Sequence, residues 1–205
     1  LFWKFRNELH SAAASMGISL SMQGGTDDES SAYRWKPVRT DDLPYSVVAY
    51  FDHRAGCVRF LVLAGHAFGL AAAVLNYNRQ PELLVAAMRC IFFCTCTHFY
   101  DDHLTLEPST AEGSGQWAYR KLCRMWNIHL DDDKHAQMHQ AFTYVGCELL
   151  LWNFFTLGEF HIAPKRGRCE AIAAMIRRIL DAGSCTPAVA ATLRGKCGFL
   201  AAQLQ

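Results

Sequence analysis

The sequence predicts an α+β fold, and three observations carry that reading. Short β-branched and aromatic runs occur in pairs separated by turn-forming residues, as hairpins require. Other stretches repeat their apolar residues at helical spacing. The two kinds of element follow one another in mixed order and not as a βαβ array, so antiparallel sheets with packed helices are expected.

Taken along the chain, residues 2–15 read as a short helix, and Gly24-Gly25 reads as a break after it. The acidic cluster Asp27-Asp28-Glu29 precedes a segment that looks strand-like. Residues 46–51 and 58–62 form the arms of a hairpin joined by Asp52-His53-Arg54-Ala55-Gly56. Residues 69–78 are rich in Ala and Leu and read as helix, with Pro81-Glu82 restarting helix toward Arg89. Residues 91–100 and 103–106 flank a second hairpin, with Asp101 and Asp102 at its tip. Residues 116–126 read as helix, residues 142–145 and 149–155 as strands, and Gly158 as a turn. Ile172, Met175, Ile176, Ile179 and Leu180 fall on one helical stripe. Thr186 before Pro187 gives a cap and a first helical residue for the last helix.

With 205 residues and 51% hydrophobic content, the chain can bury a core in one or two compact units. Its formal net charge of +1 excludes a global basic field, so any nucleic-acid contact must come from local patches. Lys165-Arg166-Gly167-Arg168 and Arg177-Arg178 are such patches, and they serve equally well as solvated helix ends. The nine cysteines are scattered, with Cys90, Cys94, Cys96 and Cys147 inside apolar runs. That pattern suits buried, reduced thiols and a cytoplasmic or nuclear location. Cys94, Cys96 and His98 alternate on one strand face, but no second pair completes a tetrahedral zinc set. The first residues lack the pattern of a signal peptide. The longest apolar stretch, 60–75, is too short and interrupted to span a bilayer, so no membrane partner is expected. The absence of an initial Met and the helical pattern running into Gln205 lead us to expect a fragment of a longer chain.

The chemistry centres on Phe99-Tyr100-Asp101-Asp102-His103. Side chains alternate along a strand, so adjacent aspartates converge on one site only at a turn. Their repulsion calls for a cation, and hard oxygen ligands suit Mg²⁺. The plainer reading is a common Asp-Asp turn dipeptide. Asp28 supplies a third acid from a separate segment, as two-metal phosphoryl transfer requires; taken alone it reads equally as a helix cap near Ser30-Ser31.

These residues carry a resemblance. The segment from Asp28 to Val38 resembles the first catalytic motif of reverse transcriptases, an aspartate followed four residues on by alanine and an aromatic, and Phe99 to His103 resembles their aromatic-X-Asp-Asp motif. Ala67-Phe68-Gly69-Leu70 with Asn78-Arg79 resembles the glycine motif, Asn127 to Leu130 with Lys134 the next one, and Phe142 to Gly146 the primer-grip strand pair. The segment from Leu193 to Phe199 is similar to the helical region after the palm in DIRS-like retrotransposons. All stand in the family's order. Two departures are Asp27, where the family has an apolar residue, and His66-Ala67, where it often has Leu-Pro.

The resemblance implies a polymerase palm, an antiparallel sheet with packed helices, followed by a helical thumb or connection segment. Residues 1–25 would then be the end of the fingers, 26–163 the palm and 164–205 the start of the thumb. It implies RNA-directed DNA synthesis in a retrotransposon polyprotein, with two Mg²⁺ ions held by Asp28, Asp101 and Asp102. Tyr33, Phe68, Gly69 and Lys134 would contact substrate, and the partners would be dNTPs and an RNA or DNA template with its primer. Most of the fingers and the RNase H region of such a polyprotein would lie outside these residues. The alternatives are an inactive palm remnant of a decayed element and a viral RNA-dependent RNA polymerase; Tyr33 and Tyr100 speak against the latter.

Overall fold

The structure, a computed structural model, describes residues 2–67, 69 and 71–203. In chain order the helices and strands are α1 (Phe2–Ser15), β1 (Met22–Asp28), β2 (Val47–Asp52), β3 (Cys57–Val62), α2 (Ala71–Cys90), β4 (Thr95–Phe99), β5 (Asp102–Pro108), α3 (Ser114–Met125), β6 (Ala136–His139), β7 (Ala141–Tyr144), β8 (Cys147–Leu150), β9 (His161–Pro164), α4 (Arg168–Ala182) and α5 (Pro187–Gln203). Short 3-10 turns at Ala32–Trp35 and Asp132–Lys134 carry Tyr33 and Lys134. One sheet has four strands in the order β4-β5-β1-β6, a second has two, β2-β3, and a third has three, β7-β8-β9. The fold is α+β, as the mixed order of the elements predicts. Among the described residues no helix is long and apolar enough to cross a membrane.

The chain forms two compact units, one of Leu1–Gly25, Leu106–Gly113 and Ala136–Gln205, the other of Thr26–Thr105 and Ser114–His135. In the second unit, α2 and α3 pack on each other and α2 packs on β4. Leu84, Val85, Met88, Cys96, Tyr119, Leu122 and Cys123 form its main core, and Ala32, Tyr33, Ala73 and Tyr77 a smaller cluster. The residues expected to end one helix and start another instead lie in a continuous α2, with Pro81 inside it and fully buried. An interior proline costs about 3 kcal/mol. Burying Tyr77, Leu84 and Met88 completely returns roughly 1.5–3 kcal/mol for each large apolar side chain, which outweighs it. The β2-β3 hairpin pairs Val47 with Val62 and Asp52 with Cys57, in the expected place. Its Val58, Phe60, Leu61 and Val62 stay exposed.

In the other unit, β7-β8-β9 is antiparallel throughout, with Val145 and Gly146 in the β7-β8 turn. Gly24-Gly25 is strand and not a break: a Cβ on Gly24 would sit 2.3 Å from the Phe142 ring, so the glycine admits a close packing contact inside β1. Residues 152–157 are turns and not a continuing strand; Leu151, Phe154 and Phe155 are buried here, and it is this burial, not sheet pairing, that accounts for the apolar run. The stripe on α4 buries only Ile172, leaving Ile176 and Leu180 exposed. The last helix is capped as expected, with Val189 N donating to Thr186 Oγ1 at 3.3 Å. All nine cysteines are free thiols; Cys96, Cys123 and Cys147 are buried, whereas Cys90 is exposed at the end of α2.

Gly65 marks another close approach, because a Cβ there would lie 2.1 Å from the Arg34 carbonyl oxygen, where the backbone bridges Pro37 to Gly65. Gly65→Ala is expected to lower Tm by about 5 °C or more, from an overpacking cost of about 2 kcal/mol. Gly195→Ala on α5, where the Cβ meets open space, is expected to leave Tm unchanged or slightly higher. Thermal denaturation of both variants followed by circular dichroism checks this pair.

Candidate active site

The site is built where β1 ends beside the β4-β5 turn. Tyr100, at φ 54°, takes the left-handed turn conformation that brings Asp101 and Asp102 round between the strands. The backbone then locks the turn to β1, because Glu29 N donates to the Asp101 carbonyl at 3.0 Å. Asp28 is 8% exposed and shares a side-chain hydrogen bond with Asp102. Lys134 Nζ donates to Asp28 Oδ1 at 2.8 Å, and Asp131 N donates to the Asp28 carbonyl at 2.9 Å. Asp28, Asp101, Asp102 and Lys134, picked out in the sequence at separate positions, therefore come together.

Electrostatics follow from this crowding. Burial, then the charges of Asp28 and Asp101, push the Asp102 acid up to about 6. Burial, with the neighbouring charge of Asp28, also raises Asp101, against the pull of Lys134. The Asp28 contact raises the Lys134 ammonium, which therefore stays charged. Behind the turn, burial lowers His103 to about 3, so its ring is neutral, with Nδ1 3.2 Å from the Asp101 carbonyl. Among the described residues no three His, Cys, Asp or Glu side chains are set at metal-ligand spacing.

Tyr33 is buried, its ring 4.7 Å from that of Tyr77, and with Gly69, Ala73 and Asp101 it lines a cavity of about 260 Å³. Gly69 adopts φ 92°. Phe68 lies outside the described residues.

No protein-family model matches the sequence, and no curated protein does. Solved structures do. The foamy viral protease-reverse transcriptase in complex with RNA/DNA hybrid aligns with a TM-score of 0.57 and 12% identity over 75% of this chain and 18% of its own. Its dRH form in complex with double-stranded DNA aligns with a TM-score of 0.59 and 12% identity, over 86% and 27%. A further complex with double-stranded DNA gives 0.55 and 11%, over 74% and 28%. The fold is reverse transcriptase-like. The chain spans less than a third of the length of each of these relatives in fold.

Within this reverse transcriptase-like fold, sequence reasoning missed two polar networks that flank Asp28. Glu29, 3% exposed, accepts from Tyr77 Oη and Gln80 Nε2, both at 2.9 Å, with Lys36 bonded to Gln80. Asp27, 2% exposed, accepts from Arg120, Gln116 and His135. The signal available was strand alternation, which turns Asp27 and Glu29 away from Asp28. Their partners lie 48 or more residues away and leave no local trace.

The raised acid of Asp102 has a definite sign. The folded chain keeps that proton up to about pH 6, whereas the unfolded chain releases it near about pH 4, so the stability it contributes is present below pH 4 and lost as pH rises to 6. Discounted for the group's partial exposure, the penalty above pH 6 is about 1 kcal/mol. Asp102→Asn is expected to raise the Tm of the metal-free chain by about 2–4 °C at pH 7.5 and to leave it nearly unchanged at pH 4. Melting curves of both proteins at the two pH values check the sign.

Proposed function

We propose that the chain carries the palm of an RNA-directed DNA polymerase of the kind found in retrotransposon polyproteins, with Asp28, Asp101 and Asp102 as its catalytic carboxylates. The observation that supports this reading is the convergence of three acids from two chain segments beside one lysine, in a reverse transcriptase-like fold. On this reading residues 26–163 are palm, 164–205 begin the thumb or connection, and 1–25 end the fingers. The structures it resembles hold RNA/DNA hybrid or double-stranded DNA. The proposed partners are accordingly an RNA or DNA template with its primer, and dNTPs.

The donor set fits Mg²⁺ in its chemistry. The ligands are hard oxygens, and the raised acids of Asp101 and Asp102 express a deficit of positive charge at the site. Asp28, Asp101 and Asp102 would hold the ions, with Asp28 given up by the Lys134 ammonium that it now accepts from. Two bound Mg²⁺ ions would neutralise charge on the attacking and leaving oxygens. The chain's own residues do the rest by position. Lys134 is set to exchange Asp28 for the triphosphate of the incoming nucleotide. Tyr33 forms the floor of the cavity where the sugar would lie, and a planar ring there collides with a 2′-hydroxyl. Gly69, without a Cβ, leaves room for the nucleotide to approach the backbone. The primer 3′ oxygen attacks the α-phosphate in line, and pyrophosphate departs.

A second reading, an inactive palm remnant, draws on the ion pair between Lys134 and Asp28 and on the lack, among the described residues, of a preassembled ligand set. Primer extension separates the two. In a full-length enzyme that carries this chain, given primer-template, dNTPs and Mg²⁺, extension is expected, and Asp101→Asn reduces it by about 100-fold or more with Tm retained, whereas residues 1–205 alone are expected to extend poorly. Extension by the variant within about threefold of the unaltered chain would sink the three-carboxylate assignment. No extension by the full-length protein would favour the remnant.

A further inference from the structure

We propose that Asp27 is a positioning residue for Lys134: it clamps the loop that carries this lysine, setting the ammonium over Asp28 and, on the polymerase reading on which this last step rests, ready for the nucleotide triphosphate. Asp27 and Asp28 are neighbours on β1, so their side chains leave opposite faces of the strand. Asp28 meets the Lys134 ammonium. Asp27, on the other face, holds both flanks of the loop from which Lys134 projects.

One connection is direct and the other runs through Arg120. Asp27 Oδ1 accepts from Arg120 Nη1 at 2.5 Å and from His135 Nδ1 at 3.0 Å, while Oδ2 accepts from Gln116 Nε2 at 3.0 Å. The second terminal nitrogen of Arg120 reaches Asp132. Asp132 stands two residues before Lys134 and His135 one residue after it, so the loop is tied down on both sides. The entrance to the loop is fixed separately, by Asp131 N on the Asp28 carbonyl at 2.9 Å.

Charge balance alone does not require this layout. Arg120 and Gln116, both on α3, already satisfy the buried carboxylate. The bond from Arg120 to Asp132 engages a side chain that is 82% exposed, where an ion pair adds little stability. What that bond does fix is the backbone two residues from Lys134. Lys134, itself 61% exposed on a flexible four-carbon stem, would otherwise sample many rotamers. The clamp limits the arc from which it can reach Asp28.

The test reads Lys134 directly. The free chain is treated with limiting acetic anhydride, and acetylation of Lys134 is measured by mass spectrometry against Lys4 and Lys121. In Asp132→Ala, which cuts the outer tie, and in Asp27→Asn, which weakens the inner one, Lys134 is expected to label about threefold faster relative to those references. Should Asp27→Asn fail to fold, the exposed Asp132 still decides the matter. Unchanged labelling in Asp132→Ala overturns the clamp, whatever the polymerase assay gives. In primer extension by the full-length enzyme, Asp132→Ala is expected to raise KM for dNTP about threefold with kcat within about twofold, and to have no further effect in a Lys134→Ala background. An equal KM change with and without Lys134 shows that Asp132 acts elsewhere and removes the triphosphate step. A full-length protein that extends no primer removes the polymerase reading and that step with it, while the labelling rates on the chain still decide the clamp.

Discussion

Three consecutive carboxylates are buried at the end of β1, and the second unit is arranged around keeping them there. Asp28 cannot share a counter-ion with Asp27 or Glu29, because strand alternation sends its side chain to the other face, and Asp27 and Glu29 meet different helices. Each therefore has its own. Arg120 from α3 answers Asp27, Lys134 from the following loop answers Asp28, and Lys36 balances Glu29 across Gln80. Desolvating a carboxylate without such partners costs several kcal/mol, so helix α3, the loop at 131–135 and helix α2 are tied to one strand end by charge as well as by packing.

The three solutions differ in completeness, and the difference locates the chemistry. Asp27 has three donors, and Glu29 has two. Asp28 faces one exposed lysine and two further acids from the β4-β5 turn. Asp27 and Glu29 are each met by several donors, although burial still raises the Glu29 acid, whereas Asp28 shares its one lysine with two further acids. The raised acids of Asp101 and Asp102 express the same imbalance from the other segment. A site left short of positive charge in a fold otherwise careful about it is suited to taking up cations or a cation-bound substrate.

How much of this could be read in the sequence depended on the range of the interaction. The β2-β3 and β4-β5 hairpins were legible because turn residues and strand alternation are local signals, and the Thr186 cap was legible for the same reason. The paired aspartates could be placed at a turn by geometry alone. Pro81 misled because its local meaning, a helix start, was overruled by the core that buries it in α2. Gly24 misled because a packing contact with Phe142, distant in sequence, and not a turn, required it. The stripe on α4 had helical period without helical burial, since periodicity names a face and not what covers it. Asp28, Asp101, Asp102 and Lys134 were found singly, from residue type and spacing. The residues that hold Lys134 in place were not found, since Arg120 lies 93 positions from Asp27.

Asp27 stands where the resemblance leads one to expect an apolar residue, and stability does not account for that. A buried ion pair replaced by well-packed apolar groups commonly leaves a protein as stable or more so. An apolar side chain at this position would also have spared α3 the burial of Arg120 and Gln116 against β1. What it could not have done is reach two places at once. A carboxylate has two oxygens and several lone-pair directions, so Asp27 can hold α3 through Gln116 and Arg120 while also holding the 131–135 loop through His135. A methyl group has no comparable way to fix the angle of a loop. The acid is costly as a core residue and well suited to joining a helix to the lysine-bearing loop. The side chain that fits this double duty lies next in sequence to Asp28, so strand alternation delivers the clamp and the carboxylate it serves from adjacent positions.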